Sequence, residues 1–165
     1  MAQVDYFLKL PGVDGESTDA GHGGEIELLS WSWGVSNAAT HESGTTGGGA
    51  GKAHSQDPTS SARPSKATAK LMQYCADGKH ITEETVLTCR RAGEKPQDYF
   101  LIKMKPVYIT SYQTGGSSGD IVRVETFSLN FGAIKFEYMP QKEDGELDAK
   151  IEAILGNTPE PAKRY

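Results

Sequence analysis

Apolar and polar residues alternate with a period of two along most of the chain, the pattern of strands with one face buried. In VDYFLKL, Val4, Tyr6, Leu8 and Leu10 share a face. In EIELLSWSWGVS the alternation changes phase: Ile26 and Leu28 lie on one side, and Leu29, Trp31, Trp33 and Val35 continue in a shifted register. The doubled leucine predicts a β-bulge there, which adds one residue to a strand and tightens its twist. TVLTCRR, Thr85 to Arg91, reads as a further strand. In DYFLIKMKPVYITSYQT, Pro106 either divides the strand or places it at a sheet edge, because proline lacks the N–H that a ladder needs. DIVRVETFSLNF and AIKFEYMP follow, separated by Gly132. Ile121, Glu125, Phe127, Leu129 and Phe131 share one side of the first, with Arg123 among them; Ile134, Phe136 and Tyr138 share a face of the second.

The period changes to that of a helix in SKATAKLMQYCADG, about residues 65–77, with Ser65 as N-cap and Gly78 as the stop. Its apolar stripe runs through Ala67 or Thr68, Leu71, Met72 and Cys75. DGELDAKIEAILGN carries a weaker helical spacing in Leu147, Ile151, Ile154 and Leu155, and the tail TPEPAKRY reads as frayed. Two regions break the strand pattern. Val13 to Glu25 is a polar loop, and residues 37–68 are rich in Gly, Ser and Thr, where KAHSQDPTS pairs at most at an edge. Many short strands, Gly-rich turns and one packed helix predict a mainly β fold, a β-barrel or sandwich.

At 165 residues the chain is a single domain, large enough to bury a core. Its 17 basic and 22 acidic residues give a net charge of −5, which argues against nucleic acid, since phosphate binding rests on clustered Lys and Arg. No apolar run is long enough to span a membrane. The start, MAQVDYFLKL, alternates like a strand and holds Asp5, so it is not read as a cleavable signal peptide. Cys75 and Cys89 are too few for a disulfide scaffold and lack metal-site spacing; both read as buried thiols of a protein made in the cytosol.

HESGTTGGGAGKA raises the question of a phosphate-binding loop. The first glycine of that motif is replaced by Thr46, the residue after Lys52 is Ala53, and Pro58 and Pro64 prevent a helix from opening at the lysine. The histidines, His22, His41, His54 and His80, stand in polar or glycine-bearing stretches without ligand spacing and read as exposed loop residues. His54 and Asp57 are near enough in sequence to orient one another, but no nucleophile motif accompanies them. Glu83 and Glu84 are adjacent and, on a strand, face opposite ways. No catalytic constellation, metal set or cofactor site is legible. Trp31 and Trp33 are either core or a carbohydrate-stacking platform, with packing beside Leu29 and Val35 favouring core. Ser30, Ser32 and Gly34 then form an uncharged polar face, lining a wet cavity or meeting bulk solvent.

DYFLKLPGVDGES followed by EIELLSWSWGVS resembles the N-terminal signature of the haemolysin-coregulated proteins, the tube subunits of the bacterial type VI secretion system. The resemblance continues through GGGAGK, LMQYCADGKHI, YFLIKMKPVYITS and VETFSLNFGAIKFEYMPQ, roughly Val4 to Gln141. It implies a small β-barrel of two sheets flanked by one short helix, assembling into hexameric rings. The rings would stack into a tube inside a contractile sheath, meet a spike protein, and leave the cytoplasm for the exterior or a target cell. Small effectors would be carried in the lumen. Carried over, the extended loop of about residues 37–53 contacts neighbouring subunits or rings through Thr40, Gly44, Gly47, Gly48, Gly49, Gly51 and Lys52. Trp31, Trp33, Phe127, Leu129, Phe131 and Tyr138 form the core signature, and Ser32 with Ser30 faces the lumen. The chain departs from the family pattern in QDPTSSARP, which replaces an apolar-alternating strand, and in the C-terminal piece 142–165. The competing readings are a monomeric ligand- or carbohydrate-binding barrel and a nucleotide hydrolase built on the glycine loop.

Overall fold

The computed structural model describes residues 3–38 and 53–156. The elements are β1 (Val4–Lys9), β2 (Ile26–Ser32), β3 (Val35–Asn37), β4 (Ala53–Ser55), β5 (Thr59–Ala62), α1 (Thr68–Asp77), β6 (Thr85–Arg91), β7 (Gln97–Thr114), β8 (Glu125–Tyr138) and β9 (Ile151–Gly156). Strands pair in the order β5-β2-β1-β6-β7-β8-β9, and β5 also pairs with β8, so the sheet closes on itself as an antiparallel barrel of six strands. A second, two-stranded sheet, β3–β4, forms the base of the glycine-rich loop. That loop, including Thr40, Gly44, Gly47, Gly48, Gly49, Gly51 and Lys52, lies outside the described residues.

The long β7–β8 hairpin is the spine. One edge of β8 pairs with β7 along its whole length; the other meets β5 through Glu125–Ser128 and β9 through Ala133–Tyr138. Inside, Leu8, Ile26, Ile102, Met104, Phe127 and Phe131 are fully or almost fully buried. Each such side chain contributes roughly 1.5–3 kcal/mol of transfer free energy. Helix α1 packs against β7, setting Ala67 and Leu71 into the core.

Several sequence expectations hold. TVLTCRR is β6, the long DYFLIKMKPVYITSYQT strand is β7, and Gly78 ends α1 in the left-handed region with φ 62°. The bulge is present between Leu28 and Ser30. It falls at the doubled leucine, as the apolar pattern suggests, but Leu29 does not join the core face. Leu29 is the extra residue and points outward with Ser30, while Leu28 stays in the core and Trp31 resumes packing against it. Val35, expected on the core face, is exposed in the β3–β4 ribbon.

Other expectations are corrected. Pro106 does not divide β7. Opposite it lies Gly132, where an added Cβ would stand 2.7 Å from the Pro106 Cδ, so the glycine makes room for the ring and β8 also runs through unbroken. The edge reading holds in one respect: β6 pairing ends at Met104, and beyond it, among the described residues, β7 meets only the isolated bridge Ile81–Val107 on that side. Pro58 leads into β5, an internal strand that closes the barrel rather than an edge, since its backbone pairs on both sides. Among the described residues of that stretch, only Ala53–Ser55 pair in the separate ribbon.

The β8 strand begins at Glu125, not Asp120, leaving Ile121 to Val124 in the preceding loop. Helix α1 begins at Thr68, with Ala67 at the N-cap position; Ser65 still accepts the Ala67 N–H through its Oγ at 3.2 Å. Tyr74 takes the half-buried place expected of Met72, which faces water. The C-terminal helix is not formed: Ile151–Gly156 is β9, because the free upper edge of β8 offers a complete ladder there.

Candidate functional site

Alternation puts a run of small hydroxyl side chains on the outward face of four neighbouring strands. Ser30 and Ser32 of β2 stand opposite Ser61 and Thr59 of β5; these in turn stand opposite Thr126 and Ser128 of β8. Ser128 pairs with Ser111 of β7. Cross-strand partners share a face, so the hydroxyls form a belt across the barrel wall. Ser30 and Ser61 are joined Oγ to Oγ at 2.6 Å, and Ser111 and Ser128 are also bonded Oγ to Oγ. At the belt's rim Asp57 accepts the Thr110 hydroxyl at 3.0 Å and the Asn130 amide at 2.8 Å. Asp57 is thus held by β7 and β8, not by His54, which is exposed on β4.

Behind the belt, the tryptophans are half-buried against the core. Trp31 meets Tyr6 edge-on at 6.3 Å and stacks with Phe100 at 6.1 Å, and Trp33 lies 4.9 Å from Phe136. Both rings are engaged in one aromatic cluster packed on the core, as the core reading expects. Phe127, Leu129 and Phe131 are buried as expected, whereas Tyr138 is exposed at the end of β8 with Phe100 beside its ring at 6.3 Å.

The outer face of β7, β8 and β9 differs in kind. Buried Glu137 is surrounded by the amines of Lys103 at 3.2 Å, Lys135 at 3.3 Å and Lys150 at 3.3 Å, and Lys150 also reaches Glu152 at 2.8 Å. Burial alone pushes the Glu137 carboxyl up, but hydrogen bonds from Lys103 and Lys135 outweigh it and hold the group below the usual carboxylate range.

Sequence reasoning missed the burial of His22 and Glu137, and although it set Glu125 on the side of Phe127 it did not supply that carboxylate's partners. His22, expected in solvent, is 8% exposed and stacks on Phe7 at 4.5 Å. Its Nδ1 lies 2.9 Å from Glu25 and its Nε2 3.2 Å from Asp98, while Arg90 binds Asp19 and approaches Asp98 at 3.4 Å. The loop of residues 13–25 is therefore pinned to β1 and β6. The available signal was Phe7, an aromatic on the outward side of β1 that something must cover. Glu125 is fully buried on the side the alternation gives it, and its Oε2 accepts Thr68 of α1 at 2.8 Å and Tyr112 of β7 at 2.6 Å. His80 stacks on Tyr108 at 4.5 Å, and His41 lies outside the described residues.

No set of three or more His, Cys, Asp or Glu that could hold a metal occurs among the described residues. Among them, too, no helix is long and apolar enough to cross a membrane. Fold and surface together define a small structural β-barrel whose distinguishing chemistry is spread over its outward faces. A family model described as "Type VI secretion system effector, Hcp" matches residues 7–138. The chain is 40% identical over 145 residues to Protein hcp1 of Pseudomonas aeruginosa, covering 88% of this chain and 89% of that protein. It is similar to a structure described as a type six secretion system protein, with TM-score 0.88, 30% identity and coverage of 94% of this chain and 96% of the other. Hcp1 from Salmonella typhimurium superposes with TM-score 0.74 at 33% identity, over 94% and 95% of the two chains. The chain belongs to the Hcp family and, as a member, is a tube subunit of the type VI secretion system.

Proposed function

We propose that the protein works without catalysis, as a ring-forming subunit whose hydroxyl belt faces the ring lumen. The observation that carries this reading is the belt: Ser30, Ser32, Thr59, Ser61 and Ser128 give a neutral, hydrogen-bonding wall on one flank. The opposite chemistry, the lysine–glutamate lattice, covers β7 to β9. A neutral polar wall holds water and offers weak hydrogen bonds, so small folded effectors can be sheltered without being trapped. Charge on such a wall would bind oppositely charged cargo tightly or repel cargo of its own sign.

Six copies close by one repeated head-to-tail contact, and a second contact between ring faces extends the ring into a tube. The glycine-rich loop, with Thr40, Gly44, Gly47, Gly48, Gly49, Gly51 and Lys52, serves as the arm of that second contact. It springs from the β3–β4 ribbon, which leaves the barrel wall at Val35. The sheath, the spike and small effectors are the remaining partners, and the protein leaves the cell with the fired tube. Native mass measurement tests the ring: particles of six times 17.8 kDa are expected. A monomer at every concentration tried would overturn the proposal.

A further inference from the structure

The residues of the hydroxyl belt carry no charge, but a carboxylate stands at their rim. Asp57 precedes Pro58 and β5, and its backbone is fastened in place. The Leu129 N–H of β8 donates to the Pro58 carbonyl at 2.9 Å, and the Thr59 hydroxyl to the Asp57 carbonyl at 3.3 Å. The Asp57 side chain accepts from two neutral groups, the Thr110 hydroxyl and the Asn130 amide. Among the described residues no ion pair includes it. Neutral donors hold a carboxylate in position without cancelling its charge, and they leave about half of its roughly four acceptor sites open.

An aromatic ring lies beside that carboxylate. Tyr108 of β7 is the direct cross-strand partner of Asn130, so its ring shares an outward face with the amide that holds Asp57. This face is the belt's own, because Asn130 follows Thr126 and Ser128 along β8 at period two. Tyr108 is 38% exposed, and His80 stacks flat on it at 4.5 Å with 5° between the rings. His80 is kept there by its neighbour Ile81, which exchanges two backbone hydrogen bonds of 2.8 Å with Val107. Flat rings beside an unpaired carboxylate make a receptor for a cationic side chain. The carboxylate supplies the opposite charge, and the rings stack on a guanidinium or lie along a lysine stem.

We infer that the Asp57–Tyr108 patch receives Arg, and less tightly Lys, side chains of effectors held in the ring lumen. The inference rests on the lumen reading proposed above and names the chemistry of the cargo that this face prefers. In a ring of six subunits the patch recurs six times. One exposed ion pair is weak, so each contact is reversible, but several together retain an effector that carries several basic residues. The neutral belt shelters the cargo while the rim selects its charge, since acidic segments meet only repulsion there.

Fluorescence anisotropy of a labelled hexa-arginine peptide, titrated with assembled rings of verified native mass, tests the inference. Wild-type rings should bind it more tightly than hexalysine, leave hexaglutamate free, and lose affinity as salt rises. Asp57→Asn keeps the shape of the side chain and removes its charge; it should weaken hexa-arginine binding about tenfold. Tyr108→Leu should weaken it about threefold and erase the preference over hexalysine. Asp144→Asn removes the same charge from an exposed turn outside the belt and should leave binding within about twofold of wild type. Rings of normal mass in which Asp57→Asn binds as tightly as wild type, or in which Asp144→Asn loses as much, would overturn the cargo site and leave the ring standing. A wild-type chain that stays monomeric would remove both.

Discussion

Phe7 shares the outward side of β1 with Asp5 and Lys9, yet it is buried because His22 lies flat against it. The alternation of VDYFLKL predicts where Phe7 points; it does not predict what covers it, since His22 arrives from a loop held by Glu25 and by Asp98 of β7. The cysteines show a similar division. Both read as buried thiols from composition, but only Cys89 is; burial pushes its thiol up to about 12, with Trp31 acting the other way, while Cys75 is half-exposed on α1. Because the thiolate is the nucleophile, alkylation at about pH 8 should label Cys75 in the native protein and Cys89 only after unfolding. Mass spectrometry of the labelled peptides checks this, and rapid native labelling of Cys89 would contradict its burial.

The β7–β8 hairpin depends on a pairing of residues that are far apart in sequence. Pro106 is tolerated within a strand because Gly132 gives its ring space, and neither residue announces the other. Gly132→Ala would force a Cβ against the Pro106 ring and within 3.3 Å of the Lys105 carbonyl. It should destabilise the fold by about 1–3 kcal/mol, read from the urea midpoint. Pro106→Ala in the same chain should recover part of that loss.

β9 is a second instance of distant control. The helical spacing of Leu147, Ile151, Ile154 and Leu155 is real, but a short isolated helix is marginal, and an open strand edge supplies six paired positions instead. The lattice that β9 completes is pH-sensitive on the acid side. The lysines hold Glu137 below its ordinary value of 4.5, so its stabilisation is complete above that value and is lost as pH falls through the lower folded value. The urea midpoint should therefore drop with acidification below about pH 4.5, and Glu137→Gln should make that decline shallower. An identical acid profile in the variant would remove Glu137 from the account.

For the assembled molecule, the hydroxyl belt is the feature with the plainest consequence. Ser32→Trp places a bulky ring on an exposed position outside the core, so rings should still form at their normal mass while co-expressed effectors are less protected. Immunoblotting of effector levels beside a native mass measurement checks this. Unchanged effector levels with normal secretion would count against cargo contact through this face. Only the β2 part of the belt was legible, because period-two alternation assigns Ser30 and Ser32 to the face opposite Trp31 from local backbone geometry alone; its continuation over β5, β8 and β7 came from cross-strand pairing. The same local rule located β6 and β7, the bulge, the stop of α1 at Gly78 and the burial of Phe127, Leu129 and Phe131. Barrel closure through β5, the passage of β7 through Pro106, the strand at Ile151–Gly156, the burial of His22 and the outward turn of Leu29 were decided by contacts across the fold. Each depends on which distant segment offers a free edge, a space or a countercharge, and a local pattern of apolar and polar residues carries no record of that partner.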